Sequence, residues 1–333
     1  MPNNVSDHHL TKPVEPSRGE SIDERCDMTV VIPVRDEEKN IPELVERLVV
    51  ALQEMQLAFE LIFVTDINTD QTLSVLREWH ARDNRIKVIK LANGMGQHIA
   101  VVAGLDASRG DSVVLMDGDL QDYPEDIRKL RSRMLDGFDV VYGIKENKDD
   151  SAIRNILSKI FVRVMNKLSD YRIEHSTSMF RILSRRTVDE LHRFRESEQS
   201  LTGLISLIGF PTDKVLVTSG ERKAGESKYS FAHQINFAIG FLLSFSTKPL
   251  RVISVLGLIV SGMSFLYLGV VIVQALFAET VVMGWPTLVV LMTFLGGIQL
   301  LALGVIGEYI SRIFIESKRR PIYIVEEKIG DFE

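Results

Sequence analysis

Two stretches near the C-terminus carry no charge at all, one between Arg251 and Glu279 and one between Glu279 and Glu308. Each runs for about 27 residues, which as α-helix at about 1.5 Å per residue reaches roughly 40 Å and exceeds the roughly 30 Å hydrocarbon core of a bilayer. We read them as two transmembrane helices, at about 252–277 and about 285–307. Their connection, "AETVVMG", is too short for anything but a hairpin. Lys248 and Arg251 precede the first helix, Arg312, Lys318, Arg319 and Arg320 follow the second, and the hairpin tip has neither Lys nor Arg. The positive-inside rule then puts both termini in the cytoplasm. The competing reading is a buried helical hairpin of a large soluble protein, for which two such lengths leave little room.

The remaining sequence is ordinary in charge and apolar content for a folded domain. Residues 1–27 are polar, lack the apolar core of a signal peptide and read as a disordered leader. Cys26 is the only cysteine of the 333 residues, so no internal disulfide can form, which suits a reducing compartment. The net charge of −6 gives no indication of a nucleic-acid partner.

From Met28 to about Gly143, short β-rich runs alternate with helical patterns. "MTVVIPV" precedes a helix whose apolar positions Ile41, Leu44, Val45, Leu48, Val49 and Leu52 recur at helical spacing. "ELIFVT", "IKVIKL" and "SVVLM" are each followed by another helical segment, and "FDVVYG" closes the series. Fully apolar strands in such an alternation imply a mostly parallel sheet with helices on both faces, an α/β fold whose ligands sit at the carboxyl ends of the strands. Residues 229–248, apolar but carrying His233, Gln234 and Asn236, read as an amphipathic helix lying at the membrane interface. Residues 311–333 read as a cytoplasmic tail.

Three clusters fall at strand ends. In "LMDGDLQD", Asp117 and Asp119 alternate around a small Gly118, so both carboxylates can face one hard divalent cation, and Gln121 can add a neutral oxygen. A D-x-D alone is more often a polar turn; its position after a buried strand favours the metal. "PVRDEEKN" and "TDINTDQT" offer Pro33, Glu37, Asp66 and Asp70 at the first two strand ends. Asp70 and Asn40 there suit helix N-capping, and Asp66 suits a base or ribose ligand. A basic set, Arg154, Arg181, Arg222 and Lys228, would collect phosphate at the bilayer surface, with a plain anionic-lipid anchor as the alternative.

Together these motifs resemble a family 2 glycosyltransferase of the polyprenyl-phosphate type, the group of dolichol-phosphate mannose synthase and its bacterial undecaprenyl-phosphate relatives. The resemblance runs from about Met28 to Val325 through "VVIPVRDEEKNI", "TDINTDQT", "DGDLQDYPE", "GESKYS" and "LGVIGEYISRIFIESKRRPIY". "GQH", "SMFR" and "ERKAGESKYSF" look most like the 4-deoxy-4-formamido-arabinose transferase of lipid A modification. Thr65, Ile67 and Asn68 depart from the usual residues around Asp66, as do Arg35, Asp36 and Asn93-Gly94 elsewhere, and Met179 stands where many relatives have an Asp.

The resemblance implies a GT-A-type catalytic domain over residues 28–228, and a multi-pass protein of the bacterial inner membrane with its two membrane helices within 249–310. It implies Mg²⁺ or Mn²⁺ on Asp117, Asp119 and Gln121. A nucleotide-sugar, UDP-linked, would be held by Pro33, Arg35, Glu37, Asp66, Gly96, Asp117 and Gly118. The acceptor phosphate would be held by Arg154, Arg181, Arg222, Ser227 and Lys228. Asp117, Asp119, Asp122 and Arg181 form the catalytic set, Asp122 either lying beside the sugar or capping the helix that begins at "PEDI". The reaction expected is inverting attack by undecaprenyl phosphate on the anomeric carbon, supplying a lipid-linked sugar for envelope glycan or lipid A modification. A homo-oligomer is compatible with all of this. The rivals are a processive polysaccharide synthase, whose Q-x-x-R-W motif is missing, and a silent adaptor that keeps the fold.

Overall fold

The computed structural model describes residues 26–94, 96–145, 179–196, 201–218, 248–277 and 284–332. An eight-stranded sheet forms its centre, in the order β7-β5-β6-β4-β1-β2-β3-β8. The first four strands are β1 (Met28–Val34), β2 (Phe59–Thr65), β3 (Ile86–Leu91) and β4 (Ser112–Leu115), followed by β5 (Val140–Lys145), β6 (Arg181–Ser184), β7 (Thr212–Val217) and β8 (Val325–Ile329). The five strands expected from the sequence are all present. β1, β2, β3 and β4 run parallel, and β5 and β7 share their direction; only β6, antiparallel to β4 and β5, and β8, antiparallel to β3, oppose them, so the described sheet is mixed and mostly parallel, as expected. β8 escaped the sequence pattern because it is five residues long and follows no β-α repeat.

Helices cover both faces. α1 (Ile41–Glu54), α2 (Thr72–Arg82) and α4 (Ile127–Leu135) pack Leu44, Leu48, Leu76 and Leu130 on one side with Ile32, Phe63 and Phe180. α3 (Gln97–Ala107), α5 (Arg185–Leu191) and α6 (Leu201–Ile208) pack Val101, Val188 and Leu204 on the other with Val31, Ile62 and Leu115. The alternation of partners along β1, Val31 to one core and Ile32 to the other, is the period-two pleat of a strand buried on both sides. α1 buries Ile41, Leu44, Val45, Leu48 and Leu52 as its spacing predicts.

Two long helices follow, α7 (Lys248–Phe277) and α8 (Trp285–Ser317). Their large apolar side chains face outward: Leu258, Leu266, Met292 and Leu300 are each more than half exposed. Among the described residues, the stretch Phe294–Ser317 is long and apolar enough to cross a membrane. α8 continues about ten residues beyond the charge-free stretch, and the segment read as a tail returns to add β8 to the sheet edge, with the Ala92 N–H donating to the Ile324 carbonyl. The leader through residue 25, residues 229–247 and the hairpin tip at 278–283 lie outside the described residues.

Candidate active site

β1 has β4 on one flank and β2 on the other, so the chain order reverses between β1 and β4; in open α/β sheets that switch point is where ligands bind. The β1–β4 ladder ends at Val31 and Leu115, with Met116 N–H donating to the Val31 carbonyl. Pro33 comes two residues later on the same edge, so its missing N–H leaves no ladder bond unmade. Into the resulting crevice the chain delivers "DGDLQD".

Gly118 is there because nothing larger fits: a Cβ would stand 2.6 Å from Val34 Cγ1. Leu120 takes a left-handed φ of 62°, a strained conformation for a leucine, and its side chain is buried in the core. The kink folds Gln121 back on Asp119, whose two oxygens accept from the Gln121 N–H at 3.1 Å and from its side-chain amide. Asp117 accepts a hydrogen bond from the side chain of Gln97, the first residue of α3. Asp122 is wholly buried and its ion-pair partner is Lys145, whose Nζ lies 2.8 Å from Oδ1. The capping role considered for Asp122 is thereby excluded; neither the turn at Pro124–Asp126 nor α4 has a side-chain cap.

Charge in this crevice is unevenly compensated. Burial pushes the Asp117 carboxyl up to about 7, and the neighbouring Asp122 and Asp119 push in the same direction against Lys145 and Arg181. Burial also raises Asp122, against the Lys145 contact. Glu37 is raised by burial, with Asp119 among the charges opposing its ionisation. The field of Arg181 reaches Asp117 although the guanidinium is itself buried, stacked 5.0 Å over the Tyr142 ring and donating to the Met179 carbonyl at 3.2 Å. Its pairing register explains the placement, since Arg181 sits opposite Leu115, two residues before Asp117.

The loops after β1 and β2 are tied to each other. Asp36, at φ 57°, accepts from the N–H and hydroxyl of Thr69, while its own N–H donates to Asn68 Oδ1, and Asn68 also bonds Thr65. Asp70 accepts from the N–H of Thr72 and of Glu38, as a helix-start residue should. Asn40 does not cap α1; its amide donates to Glu37 instead. Asp66 is buried with Oδ1 lacking any hydrogen-bond partner, Arg35 Nε at 4.0 Å and Gly94 facing Oδ2. A buried carboxylate oxygen without a donor is an acceptor waiting for one.

The structure therefore brings together Asp117, Asp119, Gln121, Asp122, Glu37 and Arg181 at one crevice, with Pro33 and Gly118 shaping it and Asp66 and Arg35 at the next strand end. Gly96, at φ 83°, is the N-cap of α3. Arg154, Arg222, Ser227 and Lys228 lie outside the described residues. Sequence reasoning missed Lys145, Gln97 and His98, the last with its pKa lowered by burial and then by Arg181. The strand-end rule that found the aspartates finds Lys145 too when extended to β5, and "GQH" stands just after β3.

The residues present fit a divalent cation of the Mg²⁺ type, which is held by one or two carboxylates plus substrate phosphates rather than by an all-protein cage. No group of three His, Cys, Asp or Glu side chains converges as a complete cage among the described residues. The raised Asp117 marks a position short of positive charge.

Comparison with known proteins shows the family of the chain. The model of "Glycosyl transferase family 2" matches residues 29–191. An uncharacterised glycosyltransferase of Bacillus subtilis, YkcC, is 36% identical over 303 residues, covering 91% of this chain and 94% of its own. The bactoprenol glucosyl transferase of Shigella phage SfV is 36% identical over 303 residues, covering 90% and 98%. Among solved structures, glucosyl-3-phosphoglycerate synthase from Mycobacterium tuberculosis, crystallised with Mn²⁺, UDP-glucose and phosphoglyceric acid, has a TM-score of 0.46 at 18% identity, covering 66% of this chain and 79% of its own.

Proposed function

The chain belongs to glycosyl transferase family 2 and is a glycosyltransferase, and we propose that it transfers a sugar from a UDP-linked donor to undecaprenyl phosphate at the cytoplasmic face of a membrane. The observation that carries this reading is the meeting of the Asp117–Asp119 loop with buried Arg181 and Lys145 at the switch-point crevice. A relative whose name specifies bactoprenol as acceptor, aligned over nearly its whole length, supports the lipid acceptor.

In this reading Asp66 accepts a donor hydrogen bond from the base, and Glu37 accepts from the ribose. Asp117 and Asp119 would hold Mg²⁺ or Mn²⁺, which when bound supplies charge neutralisation for the departing nucleoside diphosphate. Gln97 and Gln121 fix the two carboxylates in place. Arg181 receives the acceptor phosphate, joined by Arg154, Arg222, Ser227 and Lys228. Since the second pKa of a phosphate monoester is near 6, the acceptor is already a dianion at pH 7 and no side chain need remove a proton, so Met179 in place of an acidic residue costs little. Its oxygen attacks the anomeric carbon in line, inverting it. α7 and α8 form a two-span membrane hairpin, both termini on the cytoplasmic side.

Glucose is the first donor to test, because named relatives are glucosyl transferases. The formamido-arabinose donor is the second, because Gln97 and His98, part of the motif behind that resemblance, are in the site. The experiment is incubation of the purified full chain with undecaprenyl phosphate, Mn²⁺ and a panel of UDP-sugars, with mass analysis of the lipid. A glycosyl phospholipid from one donor supports the reading. Nucleotide binding without any product supports a silent adaptor instead.

A further inference from the structure

A second cavity, of about 690 Å³, opens where α8 ends, and the transfer reaction makes no use of it. Glu316, Arg319 and Arg320 line it from the helix end, Tyr323 from the segment leading to β8, and Asp106 and Arg195 from the catalytic domain. Asp106 is fully engaged: Arg195 donates to it at 2.7 Å, the Tyr323 hydroxyl at 2.8 Å, and His192 Nε2 lies 3.4 Å away. Arg319 and Arg320 form no ion pair among the described residues. With three guanidinium groups against two carboxylates, the lining keeps one net positive charge.

The backbone supplies a second observation. Arg319 adopts φ 48° just past the helix, where the Lys318 and Arg319 N–H groups close the last turn onto Ile315 and Glu316. That left-handed position is ordinarily given to glycine, and a side chain there is strained. The chain keeps an arginine in it. Immediately before the cavity, Ile310, Ile313 and Phe314 are more than half exposed, at the end of the apolar stretch Phe294–Ser317.

We propose that this cavity binds the phosphodiester headgroup of an anionic phospholipid, with Arg319 and Arg320 donating to the phosphate and the acyl chains lying along Ile310, Ile313 and Phe314. One net positive charge matches the single negative charge of such a headgroup, and the adjoining apolar face favours a lipid over free phosphate. The cavity is separate from the Asp117 site, since Asp106 lies nine residues along α3 from Gln97, which bonds Asp117, about 14 Å at helical rise. The inference rests on the membrane reading of α8 but not on the transfer chemistry.

The test is titration of the detergent-solubilised full chain with dioctanoyl phosphatidylglycerol, dioctanoyl phosphatidylcholine and inorganic phosphate, following the thermal midpoint and retained lipid by native mass spectrometry. Phosphatidylglycerol is expected to bind, and the double variant R319A/R320A to bind it about 30-fold more weakly, the factor for two arginines at a membrane surface. The double variant with lysine at both positions should recover part of the loss, and sugar transfer should be unchanged in both. Equal binding by the alanine variant overturns the proposal. So does an equal loss in K248A/R251A, which would show diffuse surface attraction, or competition by inorganic phosphate at the affinity of the lipid. Recovery of the protein from the soluble fraction without detergent would instead refute the membrane reading of α8.

Discussion

Glu60 and Asp117 are carboxylates at opposite ends of one sheet, and their neighbours treat them in opposite ways. Glu60, near the start of β2, accepts from Thr29 at 2.6 Å, from Lys87 at 2.8 Å and from the Arg109 N–H at 2.8 Å. Burial pushes its pKa up, yet those hydrogen bonds outweigh burial and the pKa is lowered. Asp117, just past β4, has among the described residues one side-chain donor, Gln97, and two acidic neighbours, and its pKa is raised to about 7. A buried charge satisfied entirely from within serves the fold. One left short of positive charge at a switch point awaits a ligand that brings it.

The largest effect expected follows directly. Asp117→Ala or Asp119→Ala should lower the rate of lipid glycosylation by at least about 10³-fold, the loss expected when charge stabilisation of several kcal/mol is removed. Their resistance to urea should equal or exceed that of the wild type, since a repelling carboxylate has gone. Activity surviving in either variant would break the contrast at its functional end.

Lys87→Met tests the other end. Both partners are buried, with side chains only 4% exposed. Removing one strands the other, at a cost of about 3–5 kcal/mol. The urea midpoint should drop accordingly while the rate per folded molecule stays put. A Lys87→Met protein of normal stability would mean that the Glu60 network is not a closed ion pair.

Opposite shifts predict opposite responses to pH. In the metal-free protein, the unfolded chain ionises its Asp117 near pH 4, whereas the folded chain holds the proton until about pH 7. Stability contributed by the protonated carboxyl is therefore complete below pH 4 and is lost as pH rises to about 7. Glu60 runs the other way: its contribution is present above the ordinary glutamate range and disappears as pH falls below it. Subtracting the urea stability of Asp117→Asn from that of the wild type at each pH should give a difference that declines from pH 4 to 7. Adding Mn²⁺ at pH 8 should stabilise the wild type and leave the variant unmoved. A flat difference would show that Asp117 is ionised in the folded protein.

How much of this the sequence discloses depends on the range over which each feature is determined. The first five strands and α1 were legible because buried runs and helical periodicity are local signals, and the same holds for the acidic loop after "SVVLM". β8 was not, because so short an edge strand is defined by the partner it reaches rather than by its own pattern. At the site, Asp117 and Asp119 could be named from spacing alone. Lys145 is a strand-end residue by the same rule, but nothing local links it to Asp122, 23 positions earlier. Asn40 illustrates the reverse error: a good capping residue by type and placed at the N-cap of α1, it makes no side-chain cap bond and donates to Glu37 instead. The departures from the family pattern were read as isolated changes. In the fold, Asp36, Thr65 and Asn68 prove to be one hydrogen-bonded unit.

That unit permits the smallest and most discriminating comparison. Asn68 accepts from the Asp36 N–H at 3.3 Å and shares a pair of contacts with Thr65 at 3.0 and 2.8 Å, while Asp36 takes the Thr69 N–H at 2.6 Å. Together they hold Asp36 in its left-handed turn and tie the loop bearing Arg35 and Glu37 to the loop bearing Asp66. Asn68→Ala should cost about 1 kcal/mol of stability, the worth of a partly exposed hydrogen bond. Thr29→Val at the Glu60 end removes a donor from a buried carboxylate and should cost at least that much. The kinetics should separate them. If the tied loops hold the donor in one geometry, Asn68→Ala raises KM for the nucleotide-sugar several-fold with kcat little changed, the signature of lost uniform binding. Thr29→Val should leave KM where it was, and a KM insensitive to Asn68 would mean that the two loops are tied for the sake of the fold alone.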